Sequence, residues 1–164
     1  RVEAGGAVFG VIGKSETLEL SNAGCGDWTV ADVAGALKLN MAGSGDTWTG
    51  RAGQAHVRVA GSGDVKTRAI AGGLHVDMAG SGDVWSASIS GPLDVKIAGP
   101  GDVKIAAGKA EAMTVSVAGS GGVDFAGTAA SLKARIAGSG DVKVKAVTGD
   151  VSKAVVGSGE VRIG

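Results

Sequence analysis

Three sets of side chains in this sequence have the types and the spacing to do chemistry. Asp27, Asp46, Asp64, Asp83, Asp102 and Asp141 recur behind phrases such as "AGSGD", with Gly122 interrupting the series and Glu160 ending it. Carboxylates repeated behind glycine turns are the raw material of calcium sites, where hard oxygen ligands surround the ion. His56 and His75 stand in a second column, with Lys38 before them and Asp94 after. Imidazoles next to a carboxylate are zinc chemistry. Trp48 and Trp85 share a third column with Lys66 between them. Exposed indoles on a rigid face hold sugar rings or a partner's side chains.

Each set has a plainer reading. The aspartate run is similar to the calcium-binding repeats-in-toxin motif, but those repeats recur about every nine residues. Here one turn comes in about nineteen, so half the ligand shell has no source. Carboxylates stacked ~4.8 Å apart repel by about 1 kcal/mol per neighbour in water. The column is therefore expected to be structural, each Asp accepting hydrogen bonds from turn N–H groups or a neighbouring Ser. Lys66, Lys104, Lys143 and Arg162, two residues further on, dilute its charge. The histidine column is expected to be exposed and polar, and no metal or cofactor is expected. Trp48, Lys66 and Trp85 remain the candidate ligand-binding residues. No His lies beside a nucleophile, and no glycine-rich phosphate loop opens a helix. The even spacing leaves no room for the loop insertions on which pectate-lyase-like β-helices build their sites. The chain is expected to have no catalytic residues and not to be an enzyme.

What positions these columns is a repeat. The first glycine of each phrase falls at Gly24, Gly43, Gly61, Gly80, Gly99, Gly119, Gly138 and Gly157, at intervals of 18 to 20 residues. Counting back from Gly24 reaches Gly5 in a worn ninth copy. Such a period implies a solenoid. Apolar residues stand six, four and two before the marker (Leu37, Leu39 and Met41 in one copy) and four after it (Val65, Val84, Val103, Val123, Val142). Polar residues such as Arg58, Asp77, Lys96 and Arg135 lie between them. Period-two alternation on both sides of a glycine turn is strand, and the β-branched residues favour it. Nineteen residues cannot house a helix, a strand and their connections. The expected fold is all-β: a single-domain, right-handed parallel β-helix over residues 1–164. It has about eight coils of about 19 residues, with 1–18 a worn first coil and 19–164 clear repeats. The hand follows from the preference of parallel crossovers, and the rod should be roughly 40 Å long.

Composition narrows the function. Gly contributes 31 of 164 residues, Tyr is absent and aromatics are 3%, so the core must be thin. Sixteen basic residues balance sixteen acidic ones, and the mixed signs exclude a nucleic-acid patch or a polybasic membrane anchor. No apolar run reaches the ~20 residues of a membrane span. Cys25 is the only cysteine, so an internal disulfide is impossible. It reads as a small buried or turn residue, the remaining use being a bridge between molecules. The chain begins at Arg1, which leads to the expectation that an upstream segment, such as a secretory signal, has been removed or left out.

The repeated "AGSGDV" and the closing "VSKAVVGSGEVRIG" resemble the GIN-domain family, auto-transporter adhesin head domains, over residues 19–164. The resemblance implies a bacterial exported β-helical protein with no established enzymatic activity, in the periplasm, on the outer surface or extracellular. The leading expectation is a surface scaffold or adhesion module with a glycan or protein ligand. One alternative is a self-stacking building block of a filament, because the last coil carries no obvious cap and exposed strand edges invite pairing. Homo-oligomers by end-to-end or side-by-side contacts belong to that reading, with Lys153 as partial protection. The other alternative is a calcium- or glycan-binding surface protein.

Overall fold

The computed structural model describes all residues, Arg1–Gly164. It contains nineteen strands and no helix, and so no helix able to cross a membrane. Every strand pair is parallel, and most join residues 18 to 20 apart, such as Val57↔Val76 and Val76↔Val95. The strands therefore stack as nine rungs of a β-solenoid, each rung lying on its sequence neighbour. Within a rung, a strand such as Leu74–Gly80 leads into the glycine corner and Val84–Ser90 leaves it. A second turn then carries the chain to the next rung.

The alternation read from sequence sets the inside and the outside. Leu39, Val57, Val76 and Val95 are fully buried in one stack, and Val65, Val84, Val103, Val123 and Val142 are equally buried in another. Their apolar atoms form one continuous core of 36 residues along the rod. Several inward positions break the aliphatic rule near the start. Gly10, Trp28 and Thr47 precede Val65 in one stack. The Trp28 ring fills the space over Gly10, where any side chain would strike it. Asn22, also buried, donates from Nδ2 to the Gly26 carbonyl at 2.8 Å.

The two glycines of each corner share one need and differ in another. The first adopts positive φ in the later coils, 138° at Gly99 and 125° at Gly157, a conformation that only glycine enters cheaply. The second has no such φ. A Cβ on Gly82 would strike the Gly63 carbonyl oxygen of the coil beneath. Close approach constrains both positions, since a Cβ on Gly61 would likewise strike the Gly43 carbonyl oxygen; the positive φ of the later coils is an additional demand on the first alone.

Two details depart from the sequence reading. The first rung pairs Gly6, not Gly5, with Gly24. It lies 18 residues before the next, as Gly10↔Trp28 repeats. The solenoid therefore has nine rungs, the worn copy being a full member. The one-residue irregularities fall away from the glycine corner. Register shifts occur between Val33 and Ala36 and between Phe125 and Thr128, on the way to the second turn. The corner is the fixed point and the far turn absorbs the slack.

Placing Asp at Val103 (1% exposed) puts an unpaired charge in the dry core. Val103→Asp is expected to lower the melting temperature by more than ten degrees or abolish folding, on the order of 4 kcal/mol or more. Lys104→Ser, one residue on and outward, should leave it nearly unchanged. Thermal circular dichroism of both variants checks the assignment of faces.

Candidate functional site

The aspartate column is a hydrogen-bonded ladder. The N–H of Asp46 donates to Asp27 Oδ1, that of Asp64 to Asp46, that of Asp83 to Asp64 and that of Asp102 to Asp83, each at 2.9 Å. Gly122 donates to Asp102 Oδ1 at 2.6 Å, and Glu160 to Asp141 at 2.9 Å. At the corner the backbone carbonyl of each Asp accepts from the strand N–H of the rung beneath, as in Val65 N–H donating to the Asp83 carbonyl at 2.8 Å. The carboxylate beneath supplies the acceptor that the column's own N–H groups need. A hydrogen bond to a charged acceptor contributes about 1.5–3 kcal/mol, more than the ~1 kcal/mol repulsion between neighbouring carboxylates in water. Gly122 has no side chain, so the ladder restarts at Asp141. The column's partners are backbone N–H groups. Its one ion pair is Glu160 with Arg162, 2.7 Å from Nη2, and the Arg162 hydrogen bond holds the Glu160 carboxyl below its usual range.

Beside this ladder runs the aromatic strip. Trp48 pairs in register with Lys66, and Lys66 with Trp85. The three side chains thus project side by side from three successive rungs, with the indoles ~10 Å apart by the rung spacing. Trp48 is 39% and Trp85 38% exposed. Lys66 Nζ lies 5.9 Å from the Trp48 ring centroid, within cation–π reach. A groove of about 480 Å³ runs along the strip, bordered by Lys14, Asp32 and Arg68. On the other side Asp64 and Asp83 face Lys66 and Trp85. Beneath the strip the core turns polar at Thr49, Thr67 and Ser86, all buried. Ser86 Oγ donates to the Arg68 carbonyl at 3.2 Å.

The histidines lie on the strands that lead into the corner. His56, His75 and Asp94 are in register on three rungs, as are Arg58, Asp77 and Lys96 beside them. The imidazole centroids of His56 and His75 are 4.5 Å apart. Asp77 Oδ2 lies 3.1 Å from His75 Nε2, 3.7 Å from His56 Nε2 and 3.5 Å from Arg58 Nε. Asp94 Oδ2 lies 3.1 Å from His75 Nδ1. Burial, then the neighbouring charges of His75 and Arg58, lower the His56 pKa. Burial alone would raise Asp77, but the His75 hydrogen bond and the charges of His75, Lys96 and Arg58 hold it below its usual value.

Sequence reasoning placed His56, His75 and Asp94 in one column and treated them as an open polar row. It did not join Asp77 to them. The signal was present: Asp77 is two residues after His75 and so shares its face. Trp28 and the buried Thr49, Thr67 and Ser86 were also overlooked. Cys25 is exposed in its corner, a turn residue and not a buried one.

The architecture is that of a β-solenoid whose outer faces are ruled into columns of like-placed side chains. The family model described as "Putative auto-transporter adhesin, head GIN domain" matches the chain twice, over residues 2–106 and 71–164. The chain belongs to this family, and the match takes in the first rung that the sequence reading set apart. The description is of an adhesin head, not of an enzyme. No curated protein and no solved structure matches the chain.

The ladder makes a graded expectation. Asp64→Asn keeps an Oδ1 acceptor for the Asp83 N–H and should move the melting temperature by no more than two or three degrees. Asp64→Ala leaves that N–H without its partner and should cost about 1–2 kcal/mol, read as a drop of several degrees. Millimolar calcium should shift neither melt, since the carboxylates already serve backbone donors; a large calcium-induced rise would restore the calcium reading.

Proposed function

We propose that this chain is an exported, non-catalytic β-helical adhesion module that takes a carbohydrate chain on the Trp48–Lys66–Trp85 strip. The observation that carries the reading is the in-register exposure of two indoles two rungs apart on a rigid sheet. Such a surface offers stacking faces at low entropic cost, because the backbone beneath is held by ladders on both sides. Hydroxyl groups of a sugar stacked there would meet Lys66 and Arg68 as donors and the second oxygens of Asp64 and Asp83 as acceptors. The mixed charge favours a neutral glycan over a strongly anionic one. Membership of an adhesin-head family supports both the surface location and the binding role.

Titration with neutral oligosaccharides, such as chito- and cello-oligomers, is expected to quench indole fluorescence. The signal reports on Trp48 and Trp85, because Trp28 is only 6% exposed. Trp48→Ala and Trp85→Ala should each weaken binding about tenfold or more while leaving the β spectrum intact. A panel of neutral and charged oligosaccharides that gives no quenching at millimolar concentration removes the carbohydrate reading.

A second reading, self-association along the rod, is favoured by the last rung of this chain. Val151, Val155 and Ile163 point along the core stacks yet are 42%, 40% and 37% exposed. A further rung, from the same polypeptide or from a second copy, would bury them. Lys153, where other rungs place Leu, Val or Ala, turns its ammonium to the Val161 carbonyl at 3.0 Å and opposes such stacking. Sedimentation of the 164-residue chain is expected to show growing rods as concentration rises, reduced by Val155→Lys. A monomer at every concentration removes this reading and leaves the first untouched.

A further inference from the structure

We infer that His56, His75 and Asp77 form a binding site for one divalent transition-metal ion of the zinc class, with Asp94 orienting His75. One ligand atom from each of the three residues, all half-buried, lies within 4.8 Å of the others. A tetrahedral ion with bonds of 2.0–2.2 Å sets its ligand atoms about 3.3–3.6 Å apart. The distances from Asp77 Oδ2, 3.1 Å to His75 Nε2 and 3.7 Å to His56 Nε2, bracket that edge, so small side-chain rotations suffice.

Two features separate this cluster from an ordinary surface ion network. His56 Nε2 is buried and has no hydrogen-bond partner, because 3.7 Å to the carboxylate is too long to count as one. An orphaned imidazole nitrogen aimed at the shared carboxylate is a donor atom awaiting an acceptor. His75, in turn, has its Nδ1 on Asp94 Oδ2 at 3.1 Å. A carboxylate on the far nitrogen favours the Nδ1–H tautomer. Nε2, which otherwise meets Asp77 Oδ2 at 3.1 Å, can then offer its lone pair to an ion, the arrangement that supports metal-bound histidines. Two imidazoles with one carboxylate suit zinc, copper or nickel and not calcium or magnesium.

The charges around the site set its strength. Arg58 competes for Asp77 Oδ2 at 3.5 Å, but it is 57% exposed along its side chain and free to swing outward. Lys38, next to His56 in the register, is paired with Glu19 at 3.2 Å. Lys96 lies beside Asp77 on the other side. These cations weaken the site without blocking it. Three protein ligands leave the fourth position open, beside a groove of about 380 Å³ that includes Gln54, Gly73 and Pro92. Because ligands and orienter come from three successive rungs, the ion would also tie those rungs together.

The test uses the full chain with Cys25→Ser, which removes the exposed thiol as a rival ligand. Calorimetric titration with zinc chloride after metal stripping should show one saturable site per chain, with no comparable heat from calcium or magnesium. Cobalt(II) should develop the visible absorption of a four-coordinate ion, and zinc should raise the melting temperature by a few degrees. His56→Gln or His75→Gln should abolish binding. Asp94→Asn should weaken it about tenfold, and Asp83→Asn should not affect it. Absence of saturable zinc binding below millimolar, or binding unchanged in the histidine variants, overturns the inference. Should a variant fail to fold, the unsubstituted chain decides the matter. It has only two histidines, and zinc must shift the imidazole resonances of both.

Discussion

The close approach of successive rungs at the glycine corner is the constraint on which the rest of this structure depends. Ladder hydrogen bonds hold parallel strands ~4.8 Å apart, and the corner must turn within that spacing without pushing the rungs apart. The stacked glycines Gly63, Gly82 and Gly101 leave no space for a Cβ against the carbonyl beneath. Where the corner is kept, the strands on both sides fall into register and the apolar columns meet. Where residues are gained or lost, the register shifts fall towards the far turn. The rod is built outward from one edge.

Stacking at that spacing imposes a chemistry of columns. Any residue type repeated at one position is brought within contact of its own kind, which suits valine and is costly for aspartate. The aspartate ladder resolves the conflict because the corner also leaves N–H groups in need of acceptors. Each carboxylate is held by a donor from the rung above, and the hydrogen bond outweighs the repulsion. The same column rule brings Trp48, Lys66 and Trp85 side by side, and His56, His75 and Asp94 likewise. Function on such a scaffold arises from short runs of unlike residues set within a repetitive column.

The two candidate surfaces lie on opposite sides of the corner and draw on different properties of the scaffold. The aromatic strip uses flatness, since its indoles stand on a sheet that ladders hold on either side. The histidine cluster uses register, because its groups come from rungs that the backbone fixes relative to one another. Neither needs a mobile loop. A family of adhesin heads is compatible with such a design, in which a rigid rod presents side-chain columns to whatever it meets.

The sequence by itself determined the period, the parallel solenoid and the inward and outward faces. Each of these is repeated many times, and repetition lets local alternation be read without knowledge of distant contacts. It also placed Trp48, Lys66 and Trp85 in one column, since counting from the nearest glycine is enough for that. Only the tertiary structure decided the register of the first rung, where no "GSG" marks the corner and pairing with Leu20–Gly24 had to select Gly6. Only it showed that Trp28 fills the core over Gly10, a matter of packing volume that no periodicity encodes. Only it joined Asp77 to the two histidines. That contact needs both the pleat, which puts Asp77 on the face of His75, and the rung spacing, which brings His56 over it. Side-chain geometry between rungs follows from both conditions together, and a linear reading supplies them one at a time.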